Sequence, residues 1–309
     1  MTSPPPRLNS VAIAIPAFKA ASTIGETLDA LQANPALSRV AKVVLLDDCS
    51  PDHTTAVAQR HWRSQVPLVV WNNTENMGER RTTNAAIARL VGEVEWTFIL
   101  HADDVVKSNW LSLYFDELEK MPASVASICS SYDNWWPDVG KTTPGEEFPD
   151  RLAVHVPGDR AGVLGTLEKG CWWHLSGCGL RNRAFLDIGG FEPDMPQLGD
   201  WDWLLRCLSK GYGIWYLPRS TMLYRQHSGS ISSGSFRQAR DLRERLRVFR
   251  SMTEQGYLSP GQHRTQVRSV LAQLTRRSLV RIARGDAAGL RWHAALLAET
   301  SANYLRRKL

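Results

Sequence analysis

Val40-Ala-Lys-Val-Val-Leu-Leu-Asp-Asp-Cys-Ser50 decides the fold class. Its apolar run does not alternate with polar residues, which suits a strand covered on both faces. It stops at two carboxylates, and Ser50-Pro51 then offers an N-cap followed by a good first helical residue. The same layout recurs on either side. Val11 to Ile15 ends at Pro16, Leu68 to Trp71 at Asn72-Asn73, and Trp96 to Leu100 at His101. Ser124 to Cys129 is a weaker fifth run. Helical patterns fall between them. Thr23 and Glu26 have capping-box spacing, with Ile24, Leu28 and Leu31 sharing one face. Asn84 to Val91 and Asn109 to Leu118 carry similar stripes. Alternating strands and helices predict an α/β fold, Rossmann-like, with a mostly parallel central sheet flanked by helices. In such sheets ligands bind beyond the carboxyl ends of the strands, where these polar residues fall.

Residues 133–170 are rich in Pro, Gly and charge and predict a long loop. From Gly177 to Arg225 short ordered elements return. Beyond Ser235 the chain reads as an Arg-rich helical appendage, broken at Ser259-Pro-Gly261 and Gly285-Asp286. Residues 235–309 hold 16 Lys and Arg against five Asp and Glu, a net of +11, whereas the whole chain is +6, so residues 1–234 carry −5. A basic tail suggests phosphate groups, such as those of an anionic membrane surface. A nucleic-acid role lacks aromatic interleaving or a binding motif. Five cysteines, an odd number without Cys-x-x-Cys spacing, argue for reduced thiols rather than disulfides or structural zinc. No apolar run approaches the roughly 18–20 residues of a membrane-spanning helix. Residues 1–9 read as a short disordered lead without a signal-peptide layout, which predicts a cytoplasmic protein.

Four motifs carry candidate chemistry. Asp47-Asp48, at a strand end, suits hydrogen bonds from a base and a ribose; the competing reading is a helix cap. His101-Ala102-Asp103-Asp104 juxtaposes carboxylates that repel unless a cation neutralises them, as Mg²⁺ does when it joins carboxylates to a diphosphate; the competing reading is a solvated turn. Asp200, in Leu198-Gly-Asp-Trp-Asp-Trp203, suits either a general base on a rigid helix start or an N-cap. His227, in Tyr224-Arg-Gln-His-Ser-Gly-Ser230, can complete a metal site of carboxylate and phosphate oxygens, although a lone His is usually structural.

In this order the motifs resemble the family-two inverting glycosyltransferases of the GT-A fold. The remaining matches are Ile15-Pro-Ala-Phe-Lys19, Asp47-Asp48-Cys49-Ser50, Asn76-Met-Gly78 with Asn84-Ala85, and Gly189-Gly190-Phe191. The resemblance spans residues 10–232. It divides the chain into a nucleotide-sugar-binding half (10–130), an acceptor-binding and catalytic half (131–232) and a basic helical region (233–309). Two departures stand out: His101 replaces the first Asp of the metal motif, and Gly199 replaces the Glu before the base.

The resemblance implies an enzyme that moves a sugar from a nucleotide-diphospho-sugar, a UDP-sugar above all, to a hydroxyl of a glycan or lipid-linked saccharide in bacterial surface polysaccharide synthesis. It assigns the donor to Pro16, Ala17, Phe18, Asp47, Asp48, Asn76, Gly78, Arg80, Arg81, Ala102, Asp103 and Asp104. Mn²⁺ or Mg²⁺ falls to Asp103, joined by His227, and the base to Asp200. The tryptophan pairs Trp135-Trp136, Trp172-Trp173 and Trp201/Trp203 suggest stacking faces for sugars, or else core packing. The acceptor expectation comprises Trp172, Trp173, Gly177 and Trp201. Two other functions compete: a nucleotidyltransferase, for which a Gly-rich phosphate loop is missing, and a non-catalytic binding protein of the same fold.

Overall fold

A computed structural model describes residues 10–145, 153–226 and 231–306. The expected lead, residues 1–9, and His227 lie outside the described residues. The chain divides into two compact units. The first holds the described residues up to Asp194 together with Gly199–Gln226; the second holds Met195–Leu198 and the described residues after Gln226.

The first unit opens as the apolar runs predict: β1 (Val11–Ala17), α1 (Ile24–Gln32), β2 (Lys42–Asp47), α2 (Thr54–His61), β3 (Leu68–Asn72), α3 (Glu79–Leu90) and β4 (Trp96–Ile99). It continues through β5 (Val105–Val106), α4 (Trp110–Leu118), β6 (Val125–Trp136), β7 (Lys141–Pro144), β8 (Val154–Val156), α5 (Arg160–Lys169), β9 (Gly179–Arg181), α6 (Asn182–Ile188), α7 (Gly199–Ser209) and β10 (Gly213–Arg225). The sheet runs β3-β2-β1-β4-β9-β6-β10-β5, with β7 on β6 and β8 on β10. Its first four strands are parallel. β9 then pairs antiparallel with both β4 and β6, so the sheet as a whole is mixed. All seven residues of β1 are buried, the outcome expected of a strand covered on both faces.

Several local expectations are corrected. The stretch 133–170 is no long loop: β6 runs on to Trp136, β7 and β8 follow, and α5 starts on an Asp159 cap whose carboxylate accepts from Gly162 N at 2.7 Å. Thr23 and Glu26 form no capping box. The Thr23 hydroxyl donates to the Ala102 carbonyl at 2.9 Å, and Glu26 pairs with Arg225. Ser50 does not cap α2, which begins at Thr54; its hydroxyl accepts from Lys19 N at 3.1 Å. For Thr23, Glu26 and Ser50 a tertiary partner outcompetes the local one. α3 begins at Glu79 rather than Asn84.

The second unit contains α8 (Ile231–Arg237), α9 (Arg240–Glu254), α10 (Pro260–Ala283) and α11 (Ala287–Arg306). α10 starts on a complete Ser259/Gln262 capping box, and the break at Gly285-Asp286 separates it from α11 as the sequence predicts. The buried face is lined by Leu242, Val248, Phe249, Met252, Val270 and Leu274. Glu244 is buried there and accepts from the Gln197 and Leu198 amides at 3.1 and 2.6 Å.

Candidate functional site

The carboxyl ends of β1, β2 and β4 bring three of the motifs to one side of the first unit. Asp47 ends β2 and Asp48 follows it, and the two make different contacts. Asp48 is buried and its two oxygens accept from four donors. These are Asn73 Nδ2 (2.7 Å), Met77 N (2.9 Å), Thr82 Oγ1 (3.0 Å) and Gly78 N (2.8 Å). It thereby ties the 76–78 turn to the sheet. Gly78 caps α3 at φ 84°, a conformation that a side chain resists. Asn76 joins the same knot through the Asp48 carbonyl at 3.4 Å. Asp47 keeps its Oδ2 on Ser50 N at 3.2 Å, while its buried Oδ1 accepts no hydrogen bond. Pro16 and Ala17 end β1, the Ala17 carbonyl accepting from Asp48 N at 2.9 Å, and the Phe18 ring next to them is 44% exposed.

The metal motif sits after β4. His101, Asp103 and Asp104 each present a ligand atom, and these atoms lie within 4.8 Å of one another. Asp104 is fully buried and its Oδ1 accepts from Arg225 N at 3.0 Å. Burial, then the neighbouring Asp103 carboxylate, pushes Asp104 up to about 7. Crowded acids of this kind are what a divalent cation relieves, so the two carboxylates fit Mn²⁺ or Mg²⁺. The Asp103 carbonyl accepts from Arg225 Nε at 2.6 Å, and the Arg225 guanidinium stacks 4.3 Å from the Trp135 ring. The Ala102 carbonyl accepts from the Thr23 and Thr27 hydroxyls, which makes it an anchor of the turn.

The residue that sequence reasoning missed is Glu79. Its Oε1 lies 2.6 Å from His101 Nε2. Burial opposes charge on both groups. Even so, the facing imidazole and Arg80 pull Glu79 down to about 2, and Glu79 with Asp104 and Asp103 lifts His101 to about 9. Glu79 follows the Gly78 turn directly, yet 22 positions separate it from His101, and no local pattern links them. The ordinary values are 4.5 and 6.5. Glu79 is depressed, so its stabilisation is present above 4.5 and lost only near 2. His101 is raised, so its stabilisation is complete below 6.5 and lost as pH passes 9. Glu79→Gln is therefore expected to lower the melting temperature most between pH 4.5 and 6.5 in metal-free buffer. The deficit should shrink above pH 9; thermal unfolding across pH checks this, and a deficit independent of pH contradicts it.

The next residue, Arg80, is buried 5.2 Å from the Phe191 ring, with Nη2 4.0 Å from Asp200 Oδ1. Arg81 instead faces outward, 3.6 Å from Asp194. The first turn of α3 thus connects the His101–Asp104 cluster, through Glu79, to Asp200, through Arg80. Asp200 lies in the first turn of α7, where its Oδ1 accepts from Trp201 N at 2.9 Å. Burial raises its pKa, and Arg80 opposes the rise.

Asp200 lines a cavity of about 110 Å³ together with Trp172, Trp173, His174, Tyr132 and Tyr216. Burial lowers His174 to about 4, so it faces the cavity as a neutral imidazole, its Nδ1 3.0 Å from the Ser176 carbonyl. Of the expected acceptor residues, only Trp172 is half-buried at this cavity, its Nε1 donating to Thr166 Oγ1 at 3.0 Å. Trp173 also lines the cavity but is buried, and Trp201 and Gly177 are not part of its lining. Trp173 packs on Trp203 at 4.9 Å between centroids, and Trp201 is 3% exposed. The Gly177 carbonyl accepts from Trp110 Nε1 and Tyr114 OH at 3.0 and 2.6 Å. The Gly189-Gly190-Phe191 turn is clasped by Asn84, which bonds Phe191 N and O at 2.9 and 2.8 Å. Gly190 has φ 68°, and a Cβ there would sit 3.0 Å from Asn84 Oδ1.

Residues 12–161 match the model of glycosyl transferase family 2. No curated protein sequence matches the chain. Among solved structures the fold is similar to S. aureus TarS 1-349 in complex with UDP, with TM-score 0.59 and 16% identity over 78% of this chain and 64% of that one. It is also similar to the mannosyltransferase PcManGT from Pyrobaculum calidifontis in complex with GDP-Man and Mn²⁺, with TM-score 0.56 and 16% identity over 100% and 89% of the two chains. GalNAc-T7 with UDP, GalNAc and Mn²⁺ matches at TM-score 0.53 and 14% identity, over 72% of this chain and 44% of that one. At these identities the shared property is the fold.

Proposed function

Because residues 12–161 match the model of glycosyl transferase family 2 and the chain has the GT-A fold, we propose that it is a family-two glycosyltransferase that moves a sugar from a nucleotide-diphospho-sugar to an acceptor hydroxyl with inversion at the anomeric carbon. The observation that carries this reading is the linkage through α3: Glu79 on His101 of the carboxylate cluster, and Arg80 on Asp200 at the cavity. A donor site and a base are thereby held by one rigid helix start.

In this reading Asp47 and the β1 end at Pro16, Ala17 and Phe18 hold the base and ribose. Asp103, with Asp104 and His101 beside it, would hold Mn²⁺ or Mg²⁺. The ion, when bound, supplies positive charge where the departing diphosphate becomes more negative. Asp200 takes the proton of the acceptor hydroxyl as that oxygen attacks, and Arg80 favours its ionised form. Trp172, at the cavity wall, offers a stacking face to the acceptor sugar. The folds that bind UDP, UDP-GlcNAc and GDP-Man support a nucleotide-sugar donor, with UDP first in order.

The acceptor in this proposal is a glycan or lipid-linked saccharide of bacterial surface polysaccharide synthesis. The basic region 235–309 supports an anionic membrane surface as a partner at the cytoplasmic side. Among the described residues no helix is long and apolar enough to cross a membrane, so the attachment would be peripheral.

The test is donor turnover by the purified chain across UDP-, GDP- and dTDP-sugars, with Mn²⁺ and with chelator, followed by NMR of the product anomer. Expected is metal-dependent turnover of one donor class with inverted configuration. Retained configuration, or binding without turnover of any donor, would overturn the reading.

A further inference from the structure

The described helices of the second unit carry a feature unrelated to donor or acceptor chemistry. α10 and α11 form a hairpin whose bend falls at Arg284-Gly285-Asp286. Within about two helical turns of that bend the chain exposes large apolar side chains: Leu279 (61%), Ile282 (60%), Trp292 (54%) and Val280. Exposed apolar groups scattered singly need no explanation, but four around one bend do. Arg276, Arg284 and Arg291 are exposed among them.

The charge around this tip is one-sided. α10 contains five arginines and no acidic residue in its 24 positions. Asp286, at the bend, is mostly buried and neutralised twice, by Arg237 at 2.8 Å and Arg281 at 2.9 Å, and its carboxylate caps α11 through Gly289 N at 3.0 Å. The Arg237 guanidinium holds it well below the usual carboxylate range. Glu299, the acidic residue of α11, lies well past the bend and pairs with Arg243 at 3.2 Å. What remains facing solvent is apolar and cationic.

We propose that the tip of the α10–α11 hairpin is a membrane anchor that inserts Leu279, Ile282 and Trp292 at the headgroup–acyl boundary of an anionic bilayer while Arg276, Arg284 and Arg291 hold lipid phosphates. This deepens the reading of residues 235–309 as membrane-facing and rests on it, but not on the chemistry at Asp200. The composition suits the interface. Aliphatic side chains gain by leaving water, Trp favours the boundary, and long basic side chains reach back to the phosphates. Charge selects against a second copy of the chain, because two such tips would bring like charges together. The exposed aliphatics select against nucleic acid, which offers them no apolar phase.

The experiment is co-sedimentation of the full chain with vesicles of phosphatidylcholine alone and of phosphatidylcholine with phosphatidylglycerol. Wild type should bind the anionic vesicles and bind the neutral ones much less. Leu279→Gln with Ile282→Gln should reduce binding by about tenfold or more. Arg284→Gln with Arg291→Gln should reduce binding to anionic vesicles by roughly thirtyfold, as two surface arginines imply. The substituted side chains are solvent-exposed, so unchanged thermal unfolding should accompany both losses. Brominated lipid should quench a fluorescence component that Trp292→Phe removes. Binding unaltered in both double variants would overturn the proposal. So would a dimer by light scattering that the Leu279/Ile282 variant dissolves, or RNA binding lost with Trp292. Donor hydrolysis without vesicles should be equal in all variants. Its absence from wild type would count against the glycosyltransfer reading alone.

Discussion

Asp200→Asn is expected to lower kcat by about 10²–10⁴-fold while the nucleotide-sugar still binds. The amide keeps the shape and still accepts from Trp201 N, so α7 keeps its start. It loses the lone pair that takes the acceptor proton. Arg80, 4.0 Å away, remains in place beside Phe191, and the carboxylate cluster at Asp103 and Asp104 is untouched. Calorimetric titration should therefore return donor affinity within a few-fold of wild type. Near-normal turnover would remove Asp200 from the role of base. A second readout separates a base from a structural acid. Burial raises the Asp200 pKa and Arg80 opposes it, so Arg80→Met should move the acid limb of the kcat/KM profile to higher pH. Protonation would then disable the base under milder conditions. A limb that stays where it was would mean that some other group reports it.

The second large effect divides two adjacent carboxylates. Asp48→Ala should destabilise the protein by about 3 kcal/mol, since four donors lose a buried charged acceptor. Asp47→Ala should cost about 1 kcal/mol or less, because it gives up one hydrogen bond from Ser50 N. The order should invert for ligand. Asp47→Ala is expected to weaken nucleotide binding by roughly ten- to a hundredfold, the range of a hydrogen bond to a charged group, with the melting temperature nearly intact. Denaturant unfolding and nucleotide titration on both variants check this. Equal stability losses would contradict the geometry around the 76–78 turn.

The contrast also marks how far the linear order of residues reaches. The four apolar runs at 11–15, 40–46, 68–71 and 96–100 by themselves determined the parallel half of the sheet. Burial on both faces leaves an unbroken apolar signal, and parallel pairing requires the helices that separate the runs. The carboxylates at 47–48 and 103–104 were legible for the same reason: they stand where strands end. The Ser259 and Gly285 breaks were legible too, because capping and helix termination are local events.

Other features were decided by the tertiary structure alone. β6 and β7 carry Asp133, Asn134 and Lys141 at positions whose polarity reads as loop, and pairing in the sheet overrides that preference. Asp47 and Asp48 look equivalent in sequence; only the return of the 73–82 segment gives Asp48 its four donors. Trp173 and Trp201 look like Trp172 until packing buries both and leaves Trp172 half-buried. Glu79 and Arg80 show no sequence link to His101 and Asp200, because a contact across 22 or 120 positions leaves no periodicity. Strand and helix periods are short-range properties of the chain, whereas electrostatic partners are chosen by where the finished sheet places its ends. That is why the identity of the fold was present in the sequence, and the division of labour among its carboxylates was not.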